Sequence, residues 1–513
     1  MNAPIESEQP RVLIVGAGPT GLTLACDLAR RHIPLRIVDA APEPFMGSRA
    51  KGLQPRTLEV FEDLGILEAV LARGGDYPRF CTHVGPFSVR GGGLNRIVAP
   101  SPAVPYPNVW MLPQWRTCEL LRGRLAEFGF RAEHGVALQS FEQDDRNVVA
   151  TVLRPTGEEQ IRSEFLVGCD GGHSLVRKTL DVPLIGDDLE GAPIVMADVE
   201  IEELDRTHWH TWPFAKKCLL TLCPLPSTFS FQLAAPLRTG VKPPELTEAG
   251  IRRFIDGALG AGKLRVERVQ WVGLYRSAHA RMVERYRVGR AFLAGDAAHV
   301  HPPSGGQGLN TGVQDAYNLG WKLASVLGGA PDSLLDTYEA ERLPIASSVL
   351  GLSKKLFLKR SVRRGKETHQ LDLNYRGGTL ATDTRARPDR VCAGDRAPDA
   401  RGQDFAGQPR RLFEMFRGVH WTLLSFGGAQ DDALAEFRVR WAPFIRVVRV
   451  LGQPKNAGAD DFVDVHGDAR ANYAACSNAL VLVRPDGYVG HFSEPESWPD
   501  LEAYLMRVFG ARN

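Results

Sequence analysis

The sequence lacks the features that would place a protein in a membrane or on nucleic acid. Its 513 residues contain no apolar run approaching the roughly eighteen residues of a membrane-spanning helix. The first ten residues are polar and include acids, so we expect no signal peptide. A formal net charge of only +2 creates no overall field that would attract a polyanion. We therefore expect a cytoplasmic protein that binds neither nucleic acid nor membrane.

The cysteines also lack the spacings that signal a disulfide framework or a metal site. There are eight of them, without a CxxC pair and without the Cys/His spacing of a zinc site. This usage is typical of reduced thiols in a cytosol, so we expect no disulfide and no structural metal. The composition is otherwise ordinary, with 43% hydrophobic and 24% charged residues. A chain of this length predicts about two to four domains.

A glycine-rich turn follows the first apolar run. Residues 11–15 (RVLIV) predict a buried parallel strand, and GAGPTGL leads directly into a segment with the apolar spacing of a helix. Gly16 would permit the tight turn, Gly18 the approach of a pyrophosphate, and Gly21 close packing of the helix on the strand. The predicted site also includes Pro19 and Thr20, at the positive end of the helix.

An acid stands at the end of the second predicted strand. Asp39 lies about 20 residues past the glycines, where a carboxylate can accept hydrogen bonds from a ribose hydroxyl. FAD and NAD both satisfy this pattern. The alternative is a glycine turn that binds no ligand.

The segment from Gly289 to Leu323 carries a second signal. Asp296 ends a short apolar strand, where it could hold a polyol such as the ribityl chain of a flavin. A helix then begins after SGGQGLN, so free amides would point from its N-terminus toward negative charge on the pyrimidine edge of a reduced flavin. These amides are expected around four residues, Gly306, Gly308, Leu309 and Asn310. Alternatively, Asp296 and Ser304 are helix caps and the glycines form a turn.

A third segment, FLVGCDGGHSLVRKTL, places Asp170 after another apolar strand. With GxGxxG, DG and GD in this order, and with SRAKGLQPRTLEVFEDLGI and YEAERLPIA in their usual places, the chain resembles the single-component flavoprotein aromatic monooxygenases, the para-hydroxybenzoate hydroxylase and phenol hydroxylase family. The resemblance covers most of residues 10 to 350. It implies FAD as cofactor and NAD(P)H as co-substrate that docks transiently, in agreement with the lack of a second GxGxxG.

The resemblance also implies residue roles and a reaction. Arg49 matches an arginine near the pyrophosphate and the nicotinamide cofactor, and Gln114 matches a glutamine that contacts the flavin. Val136 is included among the FAD-binding residues, and Pro303 would shape the pocket near the flavin C4a. In the implied reaction NAD(P)H reduces FAD, dioxygen forms a C4a-hydroperoxide, and one oxygen passes to a phenolic or other electron-rich ring.

Alternatives to this function stay open. The same scaffold serves Baeyer-Villiger oxygenation or the tailoring of polyketides, and a flavin-binding module without turnover belongs to a different class. A flavin halogenase is disfavoured because the chain has no WxWxIP segment.

Residues 186–285 predict a largely antiparallel sheet that binds the substrate. In TFSFQL, alternation suggests that Phe229, Phe231 and Leu233 roof an aromatic ligand, unless they are ordinary sheet core. The candidates for substrate contact and catalysis in this region are Trp271, Tyr275, Arg276 and His279. The family's acid and tyrosine are replaced here by Lys51 and Ser230. The group that activates the substrate therefore cannot be transferred from the relatives.

The predicted fold class is α/β. We expect a Rossmann-like FAD-binding domain in two parts, residues 1–185 and 286–387, around the sheet domain 186–285. Residues 388–513 resemble a thioredoxin-like domain, but without CxxC it cannot exchange disulfides. We interpret it as structural or oligomeric, which leaves a homodimer open. The expected partners are a small aromatic substrate and O2.

Overall fold

A computed structural model describes residues 9–189, 192–275, 278–302, 305–359, 365–385, 390–427, 431–454, 457–476, 478–494 and 497–510. Residues 9–189 form β1 (Val12–Val15), α1 (Pro19–Ala29), β2 (Leu35–Asp39), β3 (Gly52–Leu53), α2 (Pro55–Leu64), α3 (Leu67–Arg73), β4 (Arg79–Val84), β5 (Phe87–Arg90), β6 (Trp110–Met111), α4 (Gln114–Glu127), β7 (Ala132–His134), β8 (Ala137–Gln143), β9 (Val148–Arg154), β10 (Gly157–Ser163), β11 (Phe165–Gly168), α5 (Leu175–Thr179) and β12 (Ile185–Leu189).

The middle of the chain first forms most of a second sheet and then returns to the first sheet with β19 and β20. It forms β13 (Ile194–Ile201), β14 (His208–Trp212), β15 (Leu220–Pro224), β16 (Ser230–Pro236), α6 (Glu248–Leu259), β17 (Val266–Tyr275), β18 (Ala278–Met282), β19 (Arg287–Val288), β20 (Ala291–Leu293), β21 (His299–Val300), α7 (Gly308–Leu327) and α8 (Asp336–Leu358). Short 3-10 turns lie at Gly295–Ala297, Asp332–Leu335 and Lys366–Thr368.

The last part of the chain forms a third unit. Its elements are β22 (Thr382–Asp383), β23 (Arg401–Gln403), β24 (Pro409–Arg411), α9 (Leu412–Phe416), β25 (Trp421–Phe426), α10 (Asp431–Trp441), β26 (Ile445–Leu451), β27 (Phe462–Val463), α11 (Asp468–Tyr473), β28 (Ala479–Val483), β29 (Val489–Ser493) and α12 (Trp498–Phe509).

The first sheet has the order β19-β20-β11-β1-β2-β7, with only the edge strand β19 antiparallel. Strand β1 is buried along its whole length because helices cover both faces of such a sheet, which explains its unbroken apolar sequence. Helices α1 and α7 pack closely against each other: a Cβ on Gly320 would lie 2.3 Å from Asp27 Oδ2. The predicted α/β fold class is confirmed.

The second sheet has seven strands in the order β17-β13-β16-β15-β14-β4-β5. Helix α6 covers one face, and its Ile251, Phe254 and Ile255 share a core with Phe231 and Leu233 of β16. The apolar side of TFSFQL therefore packs against a helix, and Phe229 is 84% exposed. For Phe231 and Leu233 the alternative of an ordinary sheet core is therefore correct and the ligand roof is wrong. A six-residue pattern shows alternation but not which face meets the rest of the protein.

Strands β4 and β5 come from residues that sequence analysis placed in the FAD-binding part. The hairpin joins the second sheet through parallel pairing of β4 with β14, in which Cys81 lies opposite His210. Nothing local in the sequence of 79–90 indicates this partner, since the pairing spans more than a hundred residues.

The third unit centres on a parallel pair, β25 and β26, flanked by the antiparallel strands β28 and β29. The sequence predicts a thioredoxin-like unit here but no strand order, so the order is a finding of the structure. The unit is fixed to the first by a buried cluster of charges, in which Arg484 binds Glu341 at 2.6 Å and Asp486 at 2.6 Å, and Lys322 binds Glu341 at 2.7 Å. None of the helices in the described part of the chain is long and apolar enough to cross a membrane.

Candidate functional site

The glycine turn after β1 has two tightly packed glycines and one open one. A Cβ on Gly16 (φ +106°) would lie 2.3 Å from the Cys169 carbonyl oxygen, and one on Gly21 would lie 2.0 Å from the Gly16 carbonyl oxygen. A Cβ on Gly18 would meet no atom of the described residues within 4 Å. Gly18 also begins α1 without a side-chain cap, so the helix amides there are available to an anion. These features fit a pyrophosphate.

Asp39 closes the turn from the neighbouring strand. Its Oδ2 accepts a hydrogen bond from the Ala17 amide at 2.7 Å and its Oδ1 one from the Ala41 amide at 2.9 Å. The buried Val136 donates its amide to the Asp39 carbonyl at 3.0 Å. Each carboxylate oxygen keeps a further lone pair that could receive a ribose hydroxyl.

Thr20 joins the first motif to the GD motif. Its Oγ1 would lie 2.5 Å from a Cβ on Gly295 (φ +61°) and 2.4 Å from one on Gly312 of α7. Pro19 opens α1 immediately before it. The two glycines therefore allow the turn at Gly295–Ala297 and the start of α7 to reach the same edge of the sheet as α1.

Asp296 lines a cleft at this edge. Its side chain is exposed to solvent, yet protein surrounds it on most sides, and this desolvation raises its pKa against the opposing charges of His299 and Arg49. A Cβ on Gly308 would lie 3.7 Å from Asp296 Oδ1. Among the described residues the carboxylate accepts no hydrogen bond, which disfavours a helix-cap role and leaves it available to a polyol.

Helix α7 begins at Gly308, and its N-cap residue Gln307 makes no side-chain cap. The amides of Gly308 and Leu309 therefore lack intrahelical acceptors, at the end of the helix that lies beside Asp296. Asn310 has another role: its side chain accepts from the Gln54 amide at 2.8 Å and donates to the Gly306 carbonyl at 2.8 Å. It holds two loops against the start of the helix.

Sequence analysis missed Asp315. This fully buried acid accepts hydrogen bonds from the Gly295 amide at 3.1 Å, His299 Nε2 at 2.5 Å and Arg342 Nε at 2.8 Å. Burial alone would raise its pKa, but His299 and Arg342 outweigh burial and lower the pKa to about 2. The acid fixes the GD turn onto α7. No local pattern marks it, because its partners come from two other segments, the GD turn and α8.

Three predicted residues come together beside the cleft. Burial raises the pKa of Tyr275, while the charge of Arg49 lowers it and that of Asp296 raises it, so the three side chains are neighbours. Arg49 is exposed and lies 4.9 Å from the Phe45 ring centroid. An exposed cation at the mouth of the cleft is suited to an anionic group.

The other predicted residues have varied positions. Gln114 opens α4, and its amide and Oε1 bond the backbone of Ala50 at 2.9 and 3.2 Å. Asp170 Oδ2 caps α5 by accepting from the Leu175 amide at 2.7 Å, while its buried Oδ1 has no hydrogen-bond partner within the described ranges. His279 binds Asp188 at 2.5 Å in the short sheet β12-β18-β21. Arg276 and Pro303 lie outside the described residues.

The face of the seven-stranded sheet opposite α6 carries a polar row. Direct strand pairing aligns four residues across it, and we call them the covered row: Trp271, Asp198, Gln232 and Cys223. Residues 45–51 lie over this row. The Ser48 amide donates to Asp198 Oδ2 at 2.9 Å, and Gln232 Nε2 donates to the Ser48 carbonyl. Burial raises the pKa of Asp198 to about 6.

Lys51 occupies the other end of the covered row. Its Nζ donates to Gln232 Oε1 and lies 4.4 Å from the Trp209 ring centroid. This end of the row therefore holds a half-buried cation against the sheet. Such a cation favours an oxygen that carries negative charge.

A second row, two residues along each strand, is left open. The open row consists of five directly paired residues on five adjacent strands: Gly273, Met196, Ala234, Thr221 and Thr211. Four of them are small side chains that remain partly accessible, and Met196 is 7% exposed. Tyr275 lies on the same face just beyond Gly273, so the row leads toward Asp296 and Arg49.

Comparisons with known proteins agree over the whole chain. A family described as "FAD binding domain" matches residues 9–353, and one described as "Aromatic-ring hydroxylase, C-terminal" matches residues 390–511. A "Flavin-dependent monooxygenase" of Mycobacteroides abscessus is 42% identical, with 97% of this chain and 99% of the relative covered. The "6-methylpretetramide 4-monooxygenase" of Streptomyces rimosus is 35% identical, with 98% and 94% covered. The structure of aklavinone-11 hydroxylase with FAD and aklavinone superimposes with a TM-score of 0.82 at 27% identity, with 100% of both chains covered.

Proposed function

This chain belongs to the FAD-dependent aromatic monooxygenases, and we propose that its substrate is a fused multi-ring aromatic compound with an acidic hydroxyl, bound along the open row. Membership confirms the predicted family, the FAD cofactor and the hydroxylation of an aromatic ring with O2 and NAD(P)H. The substrate class and the residue roles are our proposals.

The residues present fit FAD at every part of the cofactor. The open position at Gly18 and the amides of α1 would hold the pyrophosphate, and Asp39 the adenosine ribose. Asp296 would hold the ribityl chain, and the free amides of Gly308 and Leu309 the pyrimidine edge. Bound FAD supplies the activation of O2, while these residues orient it and favour its reduced, anionic form.

The observation that carries the substrate class is the width of the open row. Its five strands are separated by four spacings of about 4.8 Å, which gives roughly 19 Å of small, partly accessible side chains. A single phenol ring would contact only a fraction of this length. The substrates for which two similar proteins are named, 6-methylpretetramide and aklavinone, support the same class.

Lys51 supports an acidic hydroxyl on that substrate. Trp209, under the Lys51 ammonium, lies on β14 two residues before Thr211 of the open row. A hydroxyl placed there would ionise more readily beside the positive charge. An ionised hydroxyl donates electron density into its ring, so the cation would activate the ring without acting as a base.

The test is substrate-stimulated oxidation of NADH and NADPH, with product identification, across single-ring phenols and fused aromatics of matched acidity. We expect kcat/KM to be highest with fused aromatics. Lys51→Gln should lower kcat/KM about tenfold or more at unchanged FAD content. This loss should be largest at pH values below the substrate's own pKa, where the cation is needed to ionise the hydroxyl. Ala234→Phe would narrow the open row, and Phe229→Ala, an exposed position outside the row, is the matched control.

Three outcomes would contradict the proposal. Higher kcat/KM with single-ring phenols, in the wild type and in Ala234→Phe alike, would exclude the substrate class. Lactone products would indicate Baeyer-Villiger oxygenation. An unstimulated rate over the full panel would favour a flavin-binding module without turnover.

A further inference from the structure

Three side chains with metal-binding atoms meet on the α6 side of the seven-stranded sheet, away from the flavin cleft. Cys81 and His83 are two residues apart on β4 and so share a face, and His210 of β14 is paired directly with Cys81. Cys81 and His210 are buried, while His83 is half-buried. The parallel pairing of β4 with β14 creates this group, so no spacing in the sequence indicates it.

The distances suit one small ion. His83 Nε2 and His210 Nδ1 are 2.9 Å apart, and one ligand atom from each of the three residues lies within 4.8 Å of the others. Two ligands of a tetrahedral Zn2+ are about 3.5 Å apart, given Zn–N bonds near 2.0 Å and a Zn–S bond near 2.3 Å. Side-chain shifts of less than about 1 Å would therefore complete the geometry.

Neighbouring groups orient both imidazoles. His210 Nε2 lies 2.6 Å from the Asp205 carbonyl oxygen, which can only accept a hydrogen bond, so Nε2 carries the hydrogen and Nδ1 faces the group with a lone pair. His83 Nδ1 lies 3.0 Å from Ser88 Oγ, which can accept its hydrogen in the same way. The Trp212 ring stacks on His83 at 4.3 Å and fixes the plane of the imidazole. Metal-binding histidines are commonly held by such contacts through their second nitrogen.

We propose that Cys81 Sγ, His83 Nε2 and His210 Nδ1 bind Zn2+, with the fourth position open to solvent beside His83. Binding would release the Cys81 thiol proton to solvent and involves no redox change. The ion would tie the β4–β5 hairpin, which comes from the FAD-binding part of the chain, to the middle of the substrate sheet. The site is separate from the monooxygenase chemistry and does not rest on the proposed substrate.

The test uses the full-length, FAD-loaded protein after removal of metals with a chelator. Equilibrium dialysis against Zn2+ with elemental analysis measures the stoichiometry, and zinc-edge X-ray absorption identifies the ligands. We expect about one Zn2+ per chain, with one sulfur and two imidazole ligands, and a higher Tm with zinc. Cys81→Ser and His83→Gln should lose both the zinc and the Tm increase while keeping FAD.

Matched controls separate this site from adventitious binding. Cys476→Ser removes an exposed thiol. His208→Gln removes a histidine that lies on β14, like His210, but is bonded to the Asp205 carboxylate. Both variants should keep the zinc. Absence of zinc uptake by the wild type, zinc retained in Cys81→Ser, or a ligand set without sulfur would each overturn the proposal. His83 and His210 would then only form a hydrogen bond with each other.

Discussion

The open position at Gly18 can be tested with a pair of glycine substitutions. Gly18→Ala places a methyl group at least 4 Å from every atom in the part of the chain that the structure describes. Gly21→Ala places one 2.0 Å from the Gly16 carbonyl oxygen. Gly18 has an extended conformation (φ −76°, ψ −176°) that alanine adopts without strain. The apoprotein should therefore lose only the difference between glycine and alanine at an N-cap, about 1 kcal/mol or less.

Binding of FAD should respond much more strongly. A methyl group in the path of the pyrophosphate is equivalent to overpacking, which costs about 1–3 kcal/mol. The Kd for FAD should then rise roughly 5- to 150-fold. Flavin fluorescence titration of the apoprotein measures this Kd, and urea denaturation of the apoprotein measures stability.

The two variants should differ in kind. Gly21→Ala should destabilise the apoprotein by several kcal/mol, since a carbonyl cannot move away as a side-chain tip can. If Gly18→Ala bound FAD as the wild type does, the pyrophosphate would not approach Gly18. If Gly18→Ala destabilised the apoprotein as much as Gly21→Ala does, the glycine at position 18 would be required for folding and not for FAD binding.

Two further predictions concern buried acids. Asp315→Asn leaves Arg342 buried without its charged partner, so urea denaturation should show a loss of about 3–5 kcal/mol. Asp39→Asn is the comparison, because within the described ranges the Asp39 carboxylate is bonded by two backbone amides. An equal loss from Asp39→Asn would show that the ion pair is not the cause. Because the pKa of Asp315 is lowered to about 2, its contribution is present above the unfolded pKa near 3.9 and should be lost as pH falls toward 2. The pKa of Asp198 is raised to about 6, so the opposite sign holds: its contribution is present below about 4 and should be lost as pH rises through 6. Asp198→Asn should remove this pH dependence, so that the free energy of unfolding from urea denaturation changes by roughly 2–3 kcal/mol less between pH 4 and 7 than in the wild type. An unchanged pH profile would contradict the titration of a buried carboxyl.

The sequence predicts those parts of the site that depend on short segments. Gly16, Asp170 and Asp296 each follow an apolar run, and parallel strands bring the ends of such runs to one edge. The glycines at the start of α1 and α7 are likewise recognisable from their own segments. This explains why the family, the cofactor and the α/β fold could be inferred before the structure was known.

Features that depend on distant pairing could not be predicted. The alternation in TFSFQL is visible, but only the packing of α6 and of residues 45–51 shows that Phe231 faces a core and Gln232 faces the covered row. The hairpin partner of β14, the position of Asp315 and the meeting of Cys81 with His210 all join residues from separate segments. The predicted boundary at residue 185 also divides the seven-stranded sheet, because β4 and β5 lie before it and the other five strands lie after it.

The buried charges around Arg484 bear on how this protein can be divided. Removal of residues beyond 388 would leave Glu341 paired with Lys322 but without Arg484, which binds both of its carboxylate oxygens. A buried carboxylate that loses one of its charged partners in this way disfavours the folded state. A shortened gene ending at the apparent linker should therefore yield a protein prone to aggregation and proteolysis. The C-terminal unit is not a separable appendage, and engineering by domain exchange would need to carry α7 and α8 along with it.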